Sequence, residues 1–114
     1  MSERNLVAVS VKHTMYRWKF GMPVVLWGHR TEDNEKRSFG GYTLYPNNAE
    51  VYSLEDWANS GYNNSEWMKI DEPAKLCPNF CKKYKKFDTV LVLLEDIINY
   101  YKVAYLALDR PNEE

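Results

Sequence analysis

The sequence predicts an α+β domain, with a four- or five-stranded, mostly antiparallel sheet and two or three helices packed on one side. Three observations predict this class. Residues near the N-terminus alternate with the period of a half-buried strand, an apolar run near residue 90 has the length of a fully buried strand, and apolar residues recur at helical spacing elsewhere. The length of 114 residues suits one domain, which we expect to span residues 1–114.

The N-terminal half is predicted to be mainly β-structure. Leu6 to His13 alternates between apolar and polar positions and is expected to form the first strand. Val24 to Thr31 and Lys36 to Tyr45 flank a polar cluster and are predicted to pair as a hairpin. Glu50 to Tyr52 could add a short edge strand.

A short helix is predicted after this region. Ser53 and Asp56 have the spacing of a capping box, in which each side chain bonds the backbone of the other residue. We therefore expect a helix from about Leu54 to Asn59 that stops at Gly61.

The C-terminal half is predicted to place one buried strand between two helices. Pro78 suits the first turn of an amphipathic helix that reaches Phe87 and carries lysines on its surface. Thr89 to Leu94 is the apolar run expected in the middle of the sheet. Glu95 then favours the start of a last helix, which should end before Pro111.

Charge is arranged in blocks along the chain. The net charge of −1 argues against a generic nucleic-acid coat protein and against a polybasic membrane binder. Residues 47–74 nevertheless carry six acidic groups and one basic group, whereas residues 75–87 carry five basic groups and none that is acidic. These blocks could neutralise one another across the fold or present separate faces to a partner.

The apolar runs are all shorter than the ~18 residues of a membrane span, so we expect no membrane partner. The first residues also lack the pattern of a signal peptide. A cytoplasmic protein is therefore predicted, in which Cys77 and Cys81 are buried thiols and not a disulfide.

An acidic aromatic segment, residues 50–72, is the first candidate contact surface. Amphipathic rings among carboxylates can grip a basic protein surface or imitate the charge of nucleic acid. The alternative is structural, with Trp57 fixing its helix to the sheet and Trp67 covering the edge of the core. The candidate partner-binding residues are Glu50, Tyr52, Glu55, Asp56, Trp57, Tyr62, Glu66 and Trp67.

A lysine cluster is the second candidate. Lysines interleaved with Tyr84 and Phe87 combine phosphate-seeking charge with stacking rings, as in binders of single-stranded RNA, although both rings lie on the predicted apolar stripe. A solvated lysine face and a contact with an acidic protein are the other interpretations. The alternative nucleic-acid-binding residues are Lys75, Lys82, Lys83, Lys85 and Lys86.

Metal and catalytic sites are predicted only weakly. Cys77, Cys81, His13 and His29 include the residue types that bind zinc, but the cysteines do not flank a glycine-containing knuckle. Each histidine stands near a threonine hydroxyl, yet adjacent residues on a strand point to opposite faces. We therefore expect no metal, no cofactor and no catalytic residue, and a protein that is not an enzyme.

Two stretches, Leu26 to Thr31 and Phe39 to Ser53, resemble small hypothetical proteins carried by phages and integrative elements of Gram-positive bacteria. The resemblance extends over most of the chain and brings no catalytic motif. The compact, aromatic, charge-blocked character is also similar to that of anti-CRISPR proteins, which bind and block the RNA-guided nuclease of type II systems. This resemblance implies a non-enzymatic inhibitor that occupies the nucleic-acid-binding surface of a host defence nuclease. The alternative is an RNA- or nucleotide-binding domain that uses the lysine cluster.

Overall fold

The computed structural model describes residues 3–61 and 68–109, with side chains described outside residues 68–71 and 104–109. These residues form five strands and four helices, two of the helices being single turns. In chain order the elements are β1 (Leu6–Ser10), α1 (Val11–Thr14), β2 (Leu26–Trp27), β3 (Tyr42–Thr43), α2 (Leu54–Ala58), β4 (Met68–Ala74), α3 (Phe80–Lys83), β5 (Thr89–Leu93) and α4 (Leu94–Asp109).

The five strands make one mixed sheet in the order β3-β2-β1-β5-β4. The β1–β2, β1–β5 and β2–β3 pairs are antiparallel, whereas β4 lies parallel to β5. The central β1–β5 pair has the longest continuous register, running from Leu6 opposite Leu93 to Ser10 opposite Thr89. The α+β class and the mostly antiparallel sheet are thus confirmed, and β4 is a strand that the sequence pattern did not indicate.

Both faces of the sheet are covered. On one face, Val7 and Val9 of β1 pack in a cluster with Phe80 of α3 and Ile97 and Tyr101 of α4. On the other face, the alternate β1 residues Leu6 and Ala8 pack with Leu91, Tyr52 and Trp57, the last of these from α2. Residues of α1, α3 and α4 thus pack on one side of the sheet, as predicted, and α2 adds a cover on the second face, because consecutive apolar residues in β1 require a cover on each face.

β1 ends earlier than its alternating pattern predicts. The Ser10 side chain accepts a hydrogen bond from the backbone N–H of His13 at 3.3 Å, which caps the single turn α1. The N–H groups of Val11 and Lys12 both donate to the carbonyl oxygen of Asp88, at 2.9 and 3.4 Å. The predicted strand up to His13 is thus wrong in its last residues, and α1 lies beside the chain that enters β5.

The predicted hairpin is reduced to two residues in each strand. Gly28 ends β2 with φ +78°, and a Cβ atom built there would lie 2.7 Å from Tyr52 Oη and 2.8 Å from Glu50 Cβ. The strands predicted over Val24 to Thr31 and Lys36 to Tyr45 are therefore too long. Most of residues 28–41 forms an irregular loop that folds over the second face of the sheet.

Other elements agree closely with the sequence. The capping box of Ser53 and Asp56 is present and starts α2 at Leu54. The predicted central strand is β5, and Tyr52 makes a single antiparallel bridge to Leu6 where a short edge strand was expected. The lysine-rich helix is shorter than predicted, because α3 ends at Lys83.

Among the helices in the described part of the chain, none combines the length and apolar character needed to cross a membrane.

Candidate functional site

Among the described residues of the acidic aromatic segment, three predicted contact residues point into the interior and not to an exposed surface. Glu50, Tyr52 and Trp57 are each fully buried. The Trp57 ring centroid lies 5.0 Å from that of Tyr52 and 5.5 Å from that of Phe39, within the second-face core. The predicted contact role of Glu50, Tyr52 and Trp57 is therefore wrong for this fold, because these side chains build its interior.

Glu50 is buried because the loop over the second face supplies its hydrogen bonds. The carboxylate accepts from the backbone N–H groups of Thr31, Ser38 and Val51 at 3.0–3.2 Å, and also from the Thr31 hydroxyl. Arg37 Nη1 lies 3.0 Å from Glu50 Oε1, and both side chains are nearly or fully inaccessible. This set of contacts holds the loop of residues 28–41 against the sheet, and we call it the Glu50 clamp.

Of the remaining candidates, the structure describes Asp56 and Glu55, and the Asp56 carboxylate is bonded within the protein. Asp56 accepts from the Ser53 N–H at 2.9 Å and from Arg4 at 2.8 and 3.2 Å. Burial alone would raise the pKa of Asp56, but the hydrogen bonds from Arg4 and Ser53 outweigh it and lower the pKa below its usual value. Glu55 is exposed, as predicted for a contact residue. The other three candidates, Tyr62, Glu66 and Trp67, lie outside the described residues.

The weak metal candidates are not brought together. Within the described part of the chain, no three His, Cys, Asp or Glu residues are placed to hold an ion. Cys77 donates to the side chain of Asn79 at 3.0 Å, and burial raises the pKa of the Cys81 thiol to about 11, which disfavours the thiolate that a metal needs. His13 and His29 instead bond nearby serine hydroxyls, each at 2.8 Å through Nδ1.

An open groove with a volume of about 220 Å³ lies between α1 and the turn that follows α3. We call it the basic groove. Three lysines dominate its charge, and one carboxylate opposes them. Its lining residues are Lys12, Met15, Lys85, Lys86, Phe87 and Asp88.

The core fixes the two sides of the basic groove. Tyr84 is buried in the first-face core and anchors the turn after α3, in which Phe87 N–H donates to the Tyr84 carbonyl at 2.9 Å. Lys86 Nζ lies 5.2 Å from the centre of the half-buried Phe87 ring. The other side of the groove is α1, in which the backbone N–H groups of Val11 and Lys12 donate to the Asp88 carbonyl oxygen. A rigid frame thus presents flexible lysine side chains.

Among the residues whose side chains the structure describes, the lysines of this region have no acidic partner at ion-pair distance. The ion pairs seen between those side chains belong to Arg4 and Arg37. The lysine cluster is therefore a solvated basic face. Two of its lysines line the basic groove. Lys85 and Lys86 line the groove, whereas Lys75, Lys82 and Lys83 are exposed outside its lining.

Lys12 is a groove residue that the sequence argument did not identify. The alternating pattern placed it on a strand, far from the lysine cluster. The sequence signal for its position is Ser10, whose hydroxyl caps α1 by accepting a hydrogen bond from the backbone N–H three residues later. Identifying Ser10 as a helix cap would have placed Lys12 in a helix and not in the sheet.

The size of the basic groove limits what it can hold. Sites that enclose a cofactor or a drug-sized ligand usually measure about 300–1,000 Å³, and the groove is smaller, at about 220 Å³. It therefore suits a short stretch of a longer anion that passes across it. No protein-family model, curated protein or solved structure matched the chain.

Proposed function

We propose that the protein is a nucleic-acid-binding domain that holds the phosphate backbone of RNA in the basic groove. The observation that carries the proposal is the convergence of Lys12, Lys85 and Lys86 on one open groove without an acidic partner at ion-pair distance in the described residues. Lysines that are not paired within the protein can neutralise the phosphates of a nucleic acid, which releases the cations condensed on its backbone. The small groove volume favours a polymer backbone over an enclosed metabolite.

The arrangement of charge supports a local site and not a general one. The whole chain has a net charge of −1, so an unselective electrostatic attraction to RNA is weak. Lys82 and Lys83, which are exposed at the end of α3 just before the groove residues Lys85 and Lys86 in the chain, add to the local positive charge. Asp88 lies in the lining and reduces that potential. Affinity should therefore depend on a few lysines that can be tested one group at a time.

The first prediction concerns these lysines. In the triple variant Lys12→Ala/Lys85→Ala/Lys86→Ala, we expect the affinity for a 12-nucleotide RNA to fall about tenfold or more at moderate salt. The slope of log K against log salt should shrink by about 2, since each phosphate contact to a single strand contributes about 0.7. Fluorescence anisotropy of labelled RNA over a salt series measures both quantities.

A matched control separates the groove from total charge. The variant Lys19→Ala/Lys36→Ala/Lys102→Ala removes the same number of charges from exposed positions outside the groove lining, and its affinity and slope should stay near those of the wild type. Asp88→Asn should increase the affinity several-fold, because it removes the negative charge from the lining. Equal losses in the two triple variants, or RNA binding absent from the wild-type protein, would overturn the proposal.

Inhibition of an RNA-guided nuclease by a mobile-element protein stays a prediction from the sequence. Glu50, Tyr52 and Trp57, which were predicted to contact the nuclease, are buried and therefore not accessible to it in this fold. An inhibitor built on this fold would have to use another surface, such as the exposed Glu55 together with residues outside the described ranges.

A further inference from the structure

A second exposed feature is next to α1, at Tyr42. This residue, on the edge strand β3, is 53% exposed. Its centroid lies 4.6 Å from that of His13 and 6.3 Å from that of the Trp27 ring. Contacts with two neighbouring rings therefore position the tyrosine ring while about half of the residue stays accessible. An aromatic ring that is fixed and exposed is already arranged for stacking on a planar partner.

This ring is continuous with the basic groove through α1. Lys12 lines the groove, and His13, the next residue along the helix, contacts Tyr42. Successive helical residues diverge by about 100°, so the two side chains leave α1 in different directions. A helix with its side chains is about 10–12 Å across, a separation that a strand of a few nucleotides can span. One short strand can therefore reach both features.

Resting on the proposed function, we infer that Tyr42, supported by His13, is a base-stacking platform that makes the protein selective for single-stranded RNA. The basic groove holds the phosphates, and an unpaired base stacks on the open face of the Tyr42 ring. Bases inside a duplex are already stacked on one another and cannot use such a platform. Basic grooves next to aromatic rings are the combination with which proteins bind single strands.

The test compares ligands that differ only in their bases. The full-length protein is titrated with a 12-nucleotide adenine RNA, an abasic strand of the same length and a blunt duplex. For Tyr42→Ala we expect the affinity for the adenine strand to fall about fivefold to 150-fold, the range measured when one stacking residue is removed. Its affinity for the abasic strand should equal that of the wild type, and the wild type should prefer the adenine strand over the duplex.

Matched variants separate stacking from loss of structure. Tyr42→Leu keeps apolar bulk without a ring and should lose affinity like the alanine variant, whereas Tyr42→Phe should keep it. Tyr45→Ala removes a 59% exposed tyrosine that follows the same strand and should bind the adenine strand normally. Circular dichroism spectra that coincide with the wild type show that each variant is folded.

The outcomes distinguish this inference from the proposed function. If Tyr42→Ala and Tyr42→Leu bind the adenine strand normally while the groove lysine variant does not, the stacking platform is wrong and the groove proposal stands. If the wild type binds none of the strands, both proposals fail. If polyglutamate at the same salt concentration binds as tightly as the adenine strand, the surface is a face for acidic proteins, and the inference is overturned.

Discussion

Replacing Glu50 by alanine is expected to lower the free energy of unfolding by about 3–5 kcal/mol, the usual cost of removing one partner from a buried ion pair. The variant leaves Arg37 as an unpaired charge in a position where its side chain is 5% exposed. It also removes the acceptor of the N–H groups of Thr31, Ser38 and Val51, so the loop over the second face loses part of its attachment. Urea unfolding followed by circular dichroism measures the loss.

The control for this prediction is the exposed carboxylate of Glu55. Glu55→Ala should change the free energy of unfolding by no more than about 0.5 kcal/mol, as is common for surface positions. Arg37 Nε is buried without a hydrogen-bond partner in the described structure, so the clamp already bears a desolvation cost. The double variant Arg37→Met/Glu50→Gln should thus be less destabilised than Glu50→Ala. A Glu50→Ala protein as stable as Glu55→Ala would contradict the structural role of the clamp.

The Glu50 clamp also predicts a dependence of stability on pH. Burial alone would raise the pKa of Glu50, but hydrogen bonds from the Thr31 hydroxyl and the N–H groups of Ser38, Thr31 and Val51 outweigh it and lower the pKa below its usual 4.5. The contribution of Glu50 is then complete above the pKa of the unfolded chain and is lost as the pH falls through the lower pKa of the folded state. Thermal unfolding between pH 7 and pH 2 should show this loss, and Glu50→Gln should reduce it. An identical pH profile for Glu50→Gln and the wild type would contradict this assignment.

Local signals in the sequence predict some elements well. The capping box at Ser53 and the apolar run of β5 depend on residues that are neighbours in the chain, so their patterns carry most of the information. The strand β4 depends instead on its parallel pairing with β5. Its residues from Met68 to Ala74 include two acids and a proline, which oppose strand formation by themselves. The pairing of β4 with β5 in the folded protein therefore outweighs the local preferences of these residues.

The candidate site shows the same division. Exposure of the lysine cluster follows from its composition, because lysines are seldom buried. Burial of Glu50 could not be predicted in this way, since acidic residues enter a core only where buried partners meet them. Those partners come from Thr31, Arg37 and Ser38, which are 12 to 19 residues distant along the chain. The position of Lys12 in the groove likewise depends on the hydrogen bonds between α1 and Asp88, the residue that precedes β5.

Trp57→Ala is expected to destabilise the protein by about 3–5 kcal/mol, the typical cost of truncating a buried Phe or Trp to alanine. Trp57 is the largest fully buried side chain among the described residues, and it joins α2 to the second face of the sheet. Chemical unfolding followed by far-ultraviolet circular dichroism measures the change. Leu54→Ala on the same helix is the control, because Leu54 is 47% exposed and should cost far less.

The Trp57 variant separates the two roles that the sequence left open for this residue. A contact residue would leave the unfolding midpoint unchanged and weaken binding to a protein partner, whereas a core residue shifts the midpoint. Affinity for the abasic strand, measured well below the midpoint of the variant, should remain that of the wild type, because Trp57 packs on the second face and the basic groove is lined by Lys12, Met15 and residues 85–88. An unchanged midpoint in Trp57→Ala would contradict the placement of this ring in the core. Loss of affinity for the abasic strand in the folded variant would mean that the second face and the groove are coupled.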